Sequence, residues 1–178
     1  YGDAWEIRAN GEVVEDGEVP LNAEVTVTAK PAKSSTIVIW EGSLPDGTTP
    51  AGNSFAFANT ESVSLYAVFA HAWEYDAGTS TISDGYWTLP VVANANAREL
   101  TVSKVSGSMT SSQMGELNLS EPVYAKGAIG DEDERWAIVN LEWQAFGLSP
   151  ARITSFYAPT TLKTVGGQLF NNVSTLDN

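Results

Sequence analysis

The feature that most constrains this chain is a repeat near its C-terminal end. The text IVNLEWQAFGLSPARI (residues 138–153) is followed by LKTVGGQLFNNVSTL (residues 162–176), and the apolar positions of the first recur in the second. Ile138 matches Leu162, Leu141 matches Val165 and Phe146 matches Phe170 at an offset of 24, while Ile153 matches Leu176 at 23. One residue is therefore gained or lost in a turn. A period of roughly 20 to 29 residues predicts a solenoid, whose units stack because none can bury its apolar face alone. This is an expectation about architecture, and it names no chemistry.

Upstream, three segments share the spacing apolar-x-x-apolar-x-apolar. They are Ala97/Leu100/Val102, Met114/Leu117/Leu119 and Ile153/Phe156/Ala158. In each, the last two apolar residues fall on one face of a short strand, so the three are expected to stack as successive rungs. Met114 and Ile153 lie 39 residues apart, 16 more than the 23 that separate Ile153 from Leu176. Residues 121–136, EPVYAKGAIGDEDERW, have that length and hold no repeat position. They are predicted to bulge from the stack as an inserted loop, since insertions are tolerated where the rungs stay intact.

The first 71 residues carry no such repeat and no helical period. AWEIRANGEVV (residues 4–14) places strand residues on either side of Asn10-Gly11, a pair that accepts positive φ and signals a hairpin. Asp16-Gly17 predicts a further turn, and AEVTVTA (residues 23–29) alternates as a half-buried strand does. STIVIW (residues 35–40) leads into EGSLPDGTTPAGN, a loop dense in Gly and Pro, before SFAFAN and SVSLYAVF. The expectation is a small all-β or β-grasp-like module over residues 1–71. A seam falls at His71-Ala72-Trp73, and a second module over 72–178 starts with a hairpin through Asp84-Gly85.

Nine basic against 22 acidic residues give a net charge of −13. Nucleic acid and anionic membrane surfaces both select for Lys and Arg, so neither is an expected partner. The acidity is spread evenly, −7 over residues 1–71 and −6 over 72–178, which points to solubility rather than a charged tail. There is no cysteine, so disulfides, thiol catalysis and thiolate metal sites are excluded. No run approaches 18 apolar residues, and membrane insertion is not expected. The chain opens at Tyr1 and stops at Asn178, just after an apolar repeat position. It is read as a mature or excised piece of a longer protein, because an open solenoid would expose its last layer.

Catalytic residues are not identified. His71 is the single histidine, lies outside any Gly-x-Ser-x-Gly context, and is expected to pack at the seam. Glu41 beside Trp40 is the most suggestive carboxylate, but no second one is placed against it. Asp131, Glu132, Asp133 and Glu134 could offer oxygens to calcium, yet an EF-hand loop alternates its acids and has Gly at its sixth position, where this run has Trp136. A solvated loop is the favoured reading, and no metal or cofactor is expected. Tyr124 and Trp136 flank those acids on the predicted insertion, where amphipathic rings suit partner docking. Tyr124, Asp131, Glu132, Asp133, Glu134 and Trp136 are therefore the candidate partner-binding residues. Phe146 and Phe170, at repeat spacing, are expected in the core.

Two resemblances add to this reading. The order hairpin, VTVTAKPA, an apolar strand ending Trp-Glu-Gly, a Gly/Pro loop and a strand ending AVF is similar to the divergent internalin-type B-repeat, or bacterial repeat. Val25, Val27, Ala29, Trp40, Gly42, Ala67 and Phe69 match it, with Val38-Ile39 where that family has an aromatic before the Trp. ARITSFYAPTTLKTVGGQLFNNVSTL resembles a BspA-like leucine-rich repeat, with Pro159 after the strand, the pair Leu162/Val165, then Phe170 and Asn172. Ala158 stands where that family has a larger aliphatic residue. The resemblances imply a leucine-rich-repeat cap and first repeats over 72–178. They also imply a non-enzymatic, exported bacterial surface protein that serves adhesion or recognition of a protein or glycan. A carbohydrate-binding module, free-standing or accessory to a larger secreted enzyme, is the alternative, and a plain spacer is a third.

Overall fold

The structure, a computed structural model, describes residues 3–15, 18–33, 36–50, 52–105, 108–147 and 151–171. The Asp16-Gly17 turn, Ser35, Asn172 and the Leu176 end of the repeat lie outside the described residues. The chain divides into two compact units, Tyr1–Ala70 and His71–Asn178.

The N-terminal unit holds β1 (Ala4–Ala9), β2 (Glu12–Val13), β3 (Glu24–Lys30), β4 (Thr36–Ser43), β5 (Ser54–Ala58) and β6 (Ser64–His71), whose last residue begins the second unit. Four strands form an antiparallel sheet in the order β2-β1-β3-β5. The hairpin turns at Asn10 and Gly11, both at positive φ, and the Asn10 side-chain oxygen accepts from the Glu24 amide at 2.9 Å. The register Ile7↔Val27↔Phe55 and Ala9↔Val25↔Phe57 puts these residues on one face, where Val25, Val27 and Phe57 are buried. β4 pairs with β6 as a separate two-stranded sheet, and its Trp40 packs on the same core. Gly42 makes that pairing possible: a Cβ there would lie 1.8 Å from the Ser64 carbonyl oxygen, at a φ of +129°. Among the described residues this unit contains no helix, so the β-grasp alternative does not hold.

In the second unit the strands are β7 (Trp73–Asp76), β8 (Thr81–Ser83), β9 (Thr88–Asn94), β10 (Glu99–Val102), β11 (Met114–Asn118), β12 (Val123–Ala125), β13 (Arg135–Leu141), β14 (Arg152–Tyr157) and β15 (Thr164–Val165). β7 to β10 form an antiparallel meander. β12 adds parallel to β7 and antiparallel to the start of β13, and β13 returns parallel to β10. The six strands thus close into a barrel, and closure removes the exposed edges that an open sheet would present. Trp73, Ile82, Trp87, Leu89, Leu100, Val102, Ile138 and Leu141 fill it. β11 and β14 form a parallel pair against this core. The buried indoles of Trp73 and Trp87 donate to the Asn118 and Glu116 carbonyls of β11, both at 2.8 Å, which satisfies two polar groups that would be costly to bury alone.

The leucine-rich-repeat solenoid expected for residues 72–178 is overturned by this closure. The 24-residue period is physically present: Leu141 pairs with Val165, the Gln144 amide donates to Gln168 at 3.1 Å, and Phe146 stacks on Phe170 at 5.3 Å. It produces one added strand on β13 instead of a growing stack. The three upstream segments do not form a single column either. Leu100 lies beside Ile138 in the barrel, whereas Leu117 lies beside Phe156 in the β11–β14 pair. Ala158, expected inward, is exposed.

The predicted insertion is also corrected. Residues 121–136 do not project as a loop: Val123 and Tyr124 are only 3% and 4% exposed, and β12 is the strand that joins β7 to β13. Three residues could be missed as a strand because so short a run has no readable period.

Candidate binding cleft

The candidate partner-binding residues lie together around β12, but they are engaged with the protein itself. The Tyr124 hydroxyl donates to Glu132 at 2.9 Å, and Arg135 pairs with the other oxygen of the same carboxylate at 2.8 Å. The Glu132 carboxyl is held below its usual range by Arg135 and then by Tyr124, while burial and Glu132 push the Tyr124 hydroxyl up. Asp131 caps the 3-10 turn Glu132–Glu134 by accepting from the Asp133 amide, and Glu134 meets Arg98 at 3.4 Å. Trp136 packs on Tyr75 with ring centroids 4.5 Å apart. Asp133 is exposed. Among the described residues no three His, Asp or Glu side chains form a group that could hold a metal ion. A turn wired in this way is a clasp on the barrel wall, and it has few groups to spare for a ligand.

The concave feature of consequence is in the N-terminal unit. Its core is small, so the inward face of the four-stranded sheet is only partly covered. A cleft of about 440 Å³ opens over Val25, Val27 and Phe57, with Trp5 and Ile7 from β1 and Val63 and Leu65 from the approach to and start of β6 as apolar walls. Strand alternation explains the composition. Trp5 and Ile7 share a face with Ala29 and Val27, while Glu6, Arg8 and Lys30 point the other way. Trp5 is 41% exposed and meets Trp40 edge-on at 6.4 Å; Trp40 in turn meets Phe55 at 5.2 Å and donates its indole N–H to the Gly52 carbonyl. One indole therefore stands at the cleft with a rigid aromatic support behind it.

Glu18, Asn59, Glu61 and Ser62 supply the polar lining. The Asn59 amide donates to the Val19 and Pro20 carbonyls at 3.0 and 3.1 Å, and its backbone pairs with Asn22 and Ala23, which ties the two loops of the rim together. Glu18 and Glu61 are exposed carboxylates, and no basic side chain lines the cleft. The cations of this unit are elsewhere. Arg8 and Lys30 both pair with Glu6 at 2.7 Å on the opposite face, and their hydrogen bonds, that of Lys30 first, hold the Glu6 carboxyl below its usual range. Lys33 is buried.

None of these residues is marked as a binding group by the sequence alone. The signal was present in the alternation, which puts Trp5 on the core face of a sheet. What was missing was the cover: only the tertiary arrangement shows that β4 and β6 leave that face partly open. Trp143, at 51% exposure, is a weaker candidate because Lys104 already sits over its ring at 4.8 Å. No family model matches the chain, and neither a curated protein nor a solved structure matches it.

Proposed function

We propose that the protein is a non-enzymatic recognition module of the bacterial cell exterior, serving adhesion or ligand capture, and that the cleft of the N-terminal unit is its binding surface. The observation that carries this reading is the open apolar floor beneath a supported, partly exposed Trp5. Sites for small groups and side chains combine an apolar floor with a few placed polar groups, and this cleft has both. The extracellular setting is supported by the likeness of residues 5–70 to the internalin-type repeat.

A second reading, carbohydrate binding, is favoured by one feature, an exposed indole beside amide, hydroxyl and carboxylate groups. Arrays of glycans and of short peptides, screened with the whole chain and with Trp5→Ala, separate the two. Saturable peptide binding lost in the variant supports recognition of a protein. Sugar binding lost in the variant supports the second reading. Signals that Trp5→Ala leaves unaltered overturn the cleft as the surface.

A further inference from the structure

The charges around the cleft narrow the ligand. Every described cation of the N-terminal unit is committed away from it: Arg8 and Lys30 to Glu6 across the sheet, and Lys33 to the interior. The rim keeps Glu18 and Glu61, in a unit whose residues 1–70 carry three basic and ten acidic side chains. An anionic or acidic ligand would therefore meet an uncompensated negative field.

We infer that the cleft binds a peptide segment of a partner protein that combines lysine or arginine with aliphatic residues. The inference rests on the cleft being the binding surface. Its geometry suits a long basic side chain. The floor of Val25, Val27 and Phe57 is apolar, and the carboxylates stand on the exposed rim. A lysine or arginine can lay its methylenes on such a floor while its charged end stays in water beside Glu18 or Glu61. Trp5 adds a ring face or edge that a guanidinium or ammonium can approach. A free inorganic cation would gain nothing from the apolar floor, and a neutral apolar peptide would leave both carboxylates without a partner.

Calorimetric titration of the whole chain with three blocked pentapeptides tests this, one alternating leucine with lysine, one with glutamine in place of lysine, and one with glutamate. The lysine peptide should bind saturably and weaken as salt rises, the glutamine peptide should bind less tightly, and the glutamate peptide should not bind. The double variant Glu18→Gln/Glu61→Gln should weaken the lysine peptide roughly fivefold, taking about half a kcal/mol for each exposed pair, and should weaken the glutamine peptide by much less. Each single variant should move the lysine peptide in the same direction by less. Equal affinity for the lysine and glutamine peptides, unmoved by the double variant but lost in Trp5→Ala, would overturn the cationic ligand and leave the cleft reading standing. Lysine-peptide binding that survives Trp5→Ala would overturn both. Failure of all three peptides to bind overturns the inference, while the cleft is then decided by the arrays.

Discussion

Closure of the barrel through β12 makes a prediction at one side chain. Val123 is 3% exposed and stands in register with Trp73 of β7 on one side and Trp136 of β13 on the other. Truncation to alanine removes two buried carbons, worth about 1.6 kcal/mol at roughly 0.8 kcal/mol each. The void left between strands held in register adds to this, and the expected loss is about 2 to 3 kcal/mol. For a unit of this size 1 kcal/mol corresponds to roughly 4 °C, so the midpoint should fall by about 10 °C. Near-ultraviolet circular dichroism during thermal and guanidinium unfolding reads it directly, because Trp73 and Trp136 flank the site. Val165→Ala is the control: Val165 pairs with Leu141 on the added strand β15 but is 56% exposed, and its truncation should cost under about 0.5 kcal/mol. A Val123 loss as small as that of Val165 would mean that the side chain is solvated and that the ring is open at β12, which would refute the barrel.

Other outcomes follow from particular contacts. Gly42→Ala should destabilise the N-terminal unit by about 2 kcal/mol or more, since its Cβ would lie 1.8 Å from the Ser64 carbonyl oxygen; amide exchange should show β4 and β6 opening first. Gly166→Ala places a Cβ 2.2 Å from the Trp143 backbone nitrogen, and should shift Trp143 fluorescence and lower the stability of the second unit by a similar amount. Phe170→Ala should cost about 2 to 3 kcal/mol in chemical unfolding, below the 3 to 5 typical of a fully buried ring, because Phe170 stacks on Phe146 and meets Phe156 edge-on while remaining partly exposed. The Glu132 pairing has a pH sign. A carboxyl held below its ordinary value of 4.5 contributes stability above that pH, and the contribution is lost as pH falls through the folded value. A carboxyl-detected NMR titration should find the Glu132 midpoint below 4.5, and Arg135→Gln should move it up; an unmoved midpoint would say the pair does not form in solution.

How much of this was legible in the sequence differs by region. Local signals were direct where they concerned nearest neighbours along the chain. The Asn10-Gly11 turn and the buried alternation Val25, Val27, Ala29 are both as their residue types dictate. The repeat offset of 24 is real as a register, because identical apolar spacing brings Leu141 and Val165 side by side and stacks Phe146 on Phe170. Two things were out of reach. The sheet closes through a three-residue strand, too short to show a period, and the cleft exists because two sheets of unequal size share one face. The residues it exposes, Trp5 and Ile7, look from the sequence like ordinary core.

What the sequence determined by itself is therefore the strand-forming alternation, the turn positions, the excess of acidic side chains and the spacing that sets one pair of strands in register. These depend on backbone sterics, on counts of charge and on contacts between residues of like spacing. Whether the repeat extends as a stack or the sheet curls shut, and whether Trp5 is core or cleft wall, was decided by tertiary structure. The physical reason is the same in both cases. An apolar strand face must be covered, and what covers it is chosen among distant segments by which pairing buries the most surface, here β12 between β7 and β13 and, incompletely, β4 and β6 over the N-terminal sheet.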